Sequence, residues 1–201
     1  MRCICLKQHL RIEQEIYKAF NYYYKILQIQ RPIRLNFSSN MNFGGKYQHN
    51  KVTLNRPIID NWEQERKVCE FLIAHELVHA KYNDSNIFSG FTSFFCPPIS
   101  VKLAFRELRA NTIAFDITNC NELDLTNYFS NFYFYSRATY FGTSGGYLDG
   151  NANIEFIQEH KSWTHKTVKA ATSYFKHYSL MYRFVPKYFY NKFEQQFLHK
   201  Q

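Results

Sequence analysis

The segment Ala74-His75-Glu76-Leu77-Val78-His79-Ala80 sets two imidazoles four residues apart, with a carboxylate directly after the first. On a helix four residues is just over one turn, so both rings leave the same face and can reach a single ion at about 2.0–2.1 Å. Glu76 is turned about 100° away from His75, where a carboxylate stays out of the ligand set and can hold a water beside the metal. Residue types and spacing together are those of a zinc hydrolase. The metal brings the pKa of water down towards about 7, and the carboxylate takes the proton as the water attacks a polarised carbonyl.

A hydrolytic zinc site needs a third protein ligand and an open fourth position. The extended motif that supplies a third histidine requires glycine at 82 and histidine at 85, where this chain has Tyr82 and Ser85. Glu107, within Phe105-Arg106-Glu107-Leu108-Arg109-Ala110-Asn111, is the better candidate. Asn111, one turn further on the same face, could accept a hydrogen bond from the far nitrogen of a ligating histidine. Asp84 is too near the motif for an easy third ligand, and Asp116 sits further along the helix of Glu107. Glu122, Asp124, Asp149, Glu155, Glu159 and Glu194 fall in segments without a clear placement, and His160 stays open as an alternative. The plainer reading makes the histidines ordinary helix residues and Glu107 a solvated partner of Arg106. Against it stands the cost of burying two unliganded imidazoles and a carboxylate in the most apolar stretch of the chain.

These residues need elements to position them. Leu10, Glu13, Tyr17, Phe20, Tyr24 and Leu27 recur at three- and four-residue steps, which predicts a helix ended by Arg31-Pro32. Ile33–Phe37 alternates with period two, and Lys46–His49 turns through Asn50-Lys51 into Val52–Asn55, so a small antiparallel sheet is expected. Asp60-Asn61-Trp62-Glu63 has the form of a capping box opening a helix over 61–82. Residues 83–99 read as a loop that carries Phe88, Phe91, Phe94 and Phe95, and Ser100 can cap a helix running to about Thr118. Residues 121–150 show no periodicity, while helices are expected beyond Ser162 and after Pro186. The fold class is therefore α+β, a zincin-like domain over 1–118 with a small sheet, the motif helix and a third-ligand helix, followed by a mostly helical extension over 119–201.

Composition bounds the rest. The chain has 201 residues, of which 45% are hydrophobic and 20% charged, so it can bury a core of its own and is not a disordered tract. Its longest apolar runs stop well short of a membrane span, and its first residues show no export signal, which points to the cytoplasm and to no membrane partner. Cys3, Cys5, Cys69, Cys96 and Cys120 are odd in number and irregularly spaced, as free thiols in a reducing compartment would be; a metal at Cys3-x-Cys5 is the lesser reading. The net charge is +9, and residues 160–201 hold eight Lys or Arg against Glu194 alone. Aromatic residues interleave with those cations, so contact with nucleic acid through 160–201 can be drawn, but packed rings and solvated lysines are the favoured reading.

The chain resembles the ImmA/IrrE-type metallopeptidases of mobile elements, phages and stress-response loci. The matching parts are Gly45-Lys46-Tyr47 with Val52-Thr53-Leu54-Asn55, then Ala74-His75-Glu76-Leu77-Val78-His79, then Glu107-Leu108-Arg109-Ala110-Asn111-Thr112-Ile113-Ala114. Val78 stands where the family usually has glycine and Ile113 where it usually has phenylalanine; neither is a ligand. The resemblance implies a cytoplasmic zinc endopeptidase acting on a protein regulator, typically a helix-turn-helix repressor, with His75, His79 and Glu107 on the metal and Glu76 as catalytic base. A second resemblance is to SprT-like metallopeptidases, which act on DNA-bound proteins; Asn55-Arg56-Pro57-Ile58 and His79-Ala80 carry it, but the later histidine segment of that family is missing. A non-catalytic regulator that binds DNA or protein and keeps the fold is the third alternative. Tyr140, Tyr147, His160 and His165 are candidates for the oxyanion partner, and nothing in the sequence singles one out.

Overall fold

The structure is a computed structural model that describes residues 2–39, 44–84, 97–131, 143–144, 147–148, 150–178 and 180–198. Of the loop expected over 83–99, residues 85–96 with the four phenylalanines and Cys96 lie outside these residues, as do Tyr140 and the side chains of Cys3, Cys5 and Tyr147, while residues 97–99 are already helical. The chain is α+β and mostly helical. It divides into two compact units, one made of 1–85 with 117–134 and the other of 86–116 with 135–201. Neither unit is a single stretch of sequence, whereas the boundary read from the sequence falls at 118.

The first unit opens with α1 (Arg2–Ile26). Its buried side carries Ile12, Ile16, Ala19, Phe20 and Tyr23, with Leu27 buried just past its end, while Leu10 and Tyr17 face solvent. The expected stripe is thus rotated by about one position, towards the face that is free of Glu13 and holds two isoleucines. Three strands follow, β1 (Arg34–Ser38), β2 (Gly45–Gln48) and β3 (Lys51–Asn55). His49 and Asn50 both have positive φ, 49° and 58°, the left-handed pair that closes a two-residue hairpin between β2 and β3.

That sheet is mixed and not antiparallel throughout, because β3 lies between its neighbours, antiparallel to β2 and parallel to β1. Alternation in sequence specifies strands but leaves their partners open. The centre goes to β3, whose Val52 and Leu54 are completely buried, while β1 is nowhere fully buried.

The expected helix over 61–82 is two helices, α2 (Pro57–Asn61) and α3 (Arg66–Tyr82). The capping box does not form. Pro57 suits a first helical turn, since its missing N–H has no partner there anyway, so α2 starts upstream of Asp60. Trp62 turns inward at the break, where its indole N–H donates to Glu15 at 3.0 Å. The N-cap of α3 is Glu65, whose side chain makes no capping hydrogen bond. From Val68 to Ala80 every residue of α3 except Glu70 is buried, the mark of a helix enclosed on nearly all sides. It packs on α1, on β2 and β3, and on α5 (Glu122–Asn131).

The second unit contains most of α4 (Pro97–Thr118), a short β4–β5 pair (Thr143–Ser144, Tyr147–Leu148), α6 (Gly150–Glu159), α7 (His165–Tyr178), α8 (Leu180–Arg183) and α9 (Lys187–Leu198). Ser100 sits within the first turns of α4 and not at its cap. The core of this unit forms around Phe105 of α4, whose ring meets Phe175 edge-on at 4.8 Å and stacks on Phe197 at 5.3 Å. Aromatic residues of the C-terminal segment therefore build the hydrophobic support of the helix that bears Glu107. Among the described residues no helix is long and apolar enough to cross a membrane.

Candidate metal centre

His75 and His79 both lie on the buried third and fourth turns of α3. Their rings stand nearly perpendicular, 83° apart, with Nε2 of one 3.1 Å from Nε2 of the other. Two nitrogens bound at about 2.05 Å to a tetrahedral ion would be about 3.3 Å apart, so the helix already holds this pair close to ligand separation.

The way α3 ends sets the state of His79. Asn83 adopts a left-handed conformation, φ 56°, which turns the chain back over the last helical carbonyls. The N–H of Asp84 then donates to the carbonyl of His79 at 2.9 Å, and the Asp84 carboxylate accepts from His79 Nδ1 at 3.3 Å. A carboxylate accepts and does not donate, so the ring proton is placed on Nδ1 and the Nε2 lone pair is aimed at His75. Tyr47 of β2 braces the turn, its hydroxyl donating to Oδ1 of Asn83 at 3.2 Å. On the other side the ring of Tyr128 lies 6.1 Å from that of His75 and 4.6 Å from Phe71, filling the space behind the first histidine with apolar surface.

Glu76 is buried against β2. A Cβ added to Gly45 would stand 2.8 Å from Cγ and 2.9 Å from Oε1 of Glu76. The carboxylate thus reaches this strand only because residue 45 has no side chain. Among the described residues β2 is an edge strand of its sheet, so the close approach puts Glu76 beside backbone that pairs there with β3 alone.

In the second unit Glu107 is buried on α4. One turn on, the amide N–H of Asn111 donates to Oδ1 of Asn153 at 2.9 Å, while its own Oδ1 makes no hydrogen bond among the described residues. The carboxylate that accepts from an imidazole of this pair is Asp84, which in the sequence stands too near the motif for an easy third ligand. Its signal was the Asn83-Asp84 pair just beyond the helix, which is a left-handed cap followed by an acceptor. The need for glycine at 45 left no trace beyond the residue itself.

His75, His79 and Glu107 form a buried group that could hold a metal ion: one ligand atom from each lies within 4.8 Å of the other two. Two neutral imidazoles and one carboxylate suit zinc, and equally other first-row divalent ions, so the donor set fits a metal without fixing its identity. Of the residues considered for stabilising an oxyanion, His160 packs against Phe156 at 4.6 Å within the second unit, and His165 is exposed at the start of α7. Comparison with protein-family models, with curated proteins and with solved structures finds no match.

Proposed function

We propose that the chain is a zinc-dependent endopeptidase that hydrolyses a peptide bond in a protein substrate, with a helix-turn-helix repressor or similar regulator as the substrate class. The observation that carries this reading is the buried His75–His79–Glu107 group with Glu76 following a ligand in sequence. When bound, zinc supplies Lewis acidity to a scissile carbonyl and makes water acidic near neutral pH. Glu76 takes the proton of the attacking water on its carboxylate and returns it to the leaving amine. Asp84 keeps the ring proton of His79 on Nδ1, so that Nε2 stays a donor of electrons. An extended substrate can add to the open edge of β2, which lies against Glu76. A cytoplasmic setting suits the buried free thiols of Cys69 and Cys120.

Metal analysis on purified wild type, His75→Ala and Glu107→Ala tests the site. One zinc per chain in wild type, lost in His75→Ala and weakened in Glu107→Ala, is expected. Wild type that stays metal-free when zinc is offered overturns the reading. Glu76→Gln separates catalysis from binding: it should keep the metal and lose cleavage, whereas a regulator acting by binding alone would be indifferent to it. The SprT-like alternative keeps His75, Glu76 and His79 and adds a DNA-bound substrate, but it needs a third ligand from a later histidine segment that this chain lacks.

A further inference from the structure

The structure divides the aromatic residues of the C-terminal segment into two sets. Phe175, Tyr190, Phe193 and Phe197 are buried in the core of the second unit, whereas Phe184 is 78% and Tyr188 67% exposed, on either side of Pro186. The cations divide as well. Arg183 donates to the carbonyls of Lys176 and His177 and so closes the end of α7, and the ammonium of Lys176 lies 4.6 Å over the ring of Tyr190. Lys166 and Lys169 on α7, and Lys187 and Lys192 on α9, are exposed and make no ion pair among the described residues. α7 and α9 pack against each other. The single acidic residue of this stretch, Glu194, is half-buried and accepts from the hydroxyl of Thr172, so it is tied inward and the exposed charged side chains of the two packed helices are all basic.

We infer that this surface binds single-stranded nucleic acid, with the lysines on phosphates and with Phe184 and Tyr188 as stacking faces for bases. Exposed rings among uncompensated lysines are the pairing that such ligands need, because every base has a π face and every nucleotide a negative charge. An anionic membrane asks for something different, an apolar helix face free to enter the acyl region. Here the apolar faces of α7 and α9, with Val168, Phe175, Phe193 and Phe197, are already buried in the core. The inference stands independently of the peptidase reading.

The test is fluorescence anisotropy of the full chain with a labelled, mixed-sequence 20-nucleotide DNA strand, run across a salt series. Replacing Lys169, Lys187 and Lys192 together by Gln should weaken binding and lower the salt slope by about two, at about 0.7 per phosphate contact. Replacing Lys18, Lys25 and Lys51 in the first unit makes the same change in net charge and should leave affinity within about twofold. Phe184→Ala with Tyr188→Ala should weaken binding by about fivefold or more at constant salt. Thermal melting checks that each variant is folded, which the exposure of all these positions favours. Absence of binding at low salt, equal losses in the two lysine triples, or binding to phosphatidylserine vesicles but not to the strand would each overturn the proposal.

Discussion

Asp84 holds His79 twice, through its backbone N–H on the His79 carbonyl at 2.9 Å and through its carboxylate on Nδ1 at 3.3 Å. One residue therefore ends the helix and orients a ring that the helix presents. Replacing it separates the two functions. Asp84→Ala keeps the backbone hydrogen bond and removes the acceptor, so zinc should bind about 10–100-fold more weakly in competition with a chromophoric chelator. Asp84→Asn can still accept through Oδ1 and should recover part of that loss. Equal affinity in wild type and Asp84→Ala would mean that the carboxylate plays no part in metal binding.

Gly45→Ala forces a methyl group to within 2.8 Å of Cγ of Glu76. Either the carboxylate swings away or β2 shifts, and overpacking of this kind costs about 1–3 kcal/mol. Zinc content should stay at the wild-type level, since Glu76 is not a ligand in the proposed site, while the proposed peptide cleavage should fall by about 10²-fold or more as the proposed general base leaves its place. Paired measurements of metal content and kcat on the same preparation decide it; unchanged kcat would show that the position of Glu76 against β2 is immaterial.

Asn111 and Asn153 form a buried amide pair in the second unit. Asn111→Ala removes the buried hydrogen bond to the Asn153 side chain, at a cost of about 1–3 kcal/mol, measurable as a lower midpoint in urea. Replacing both residues by Leu should cost less than the sum of the single changes, because the hydrogen bond they share is lost only once. Strict additivity in this double-mutant cycle would deny the pairing.

Burial pushes the thiol of Cys69 up to about 12, helped by the nearby charges of Glu65 and Glu70. Burial likewise raises Cys120 to about 11, against the opposing hydrogen bond from Thr118. Both groups keep their protons in the folded state after the unfolded chain has begun to lose them near pH 9. The unfolded state thus binds fewer protons between about pH 9 and pH 11–12, and stability falls across that window. Denaturant midpoints taken from pH 8 to pH 11 should decline, less steeply in Cys69→Ala. At pH 8 neither thiol should react with an aromatic disulfide until the chain is unfolded.

Much of the candidate site was legible in the chain itself. The spacing of His75, Glu76 and His79 puts two rings on one helical face by backbone geometry alone, and Glu107 on the following helix was identifiable from residue type and order. Helices after Ser162 and Pro186 were also readable, since amphipathic periodicity is a local property. Tertiary structure decided what depends on partners distant in sequence. β3 took the centre of a mixed sheet because its two apolar residues had to be covered, a fact about packing and not about alternation. Asp84 acquired its role through the left-handed turn at Asn83, and Gly45 through the approach of a helix side chain to a strand. The same holds for Phe184 and Tyr188, which resemble their buried neighbours in composition and differ in being exposed. Local sequence determines which elements can form and which face each presents; pairing, burial and the company a carboxylate keeps come from many small contacts between distant residues, and those are summed only when the chain has folded.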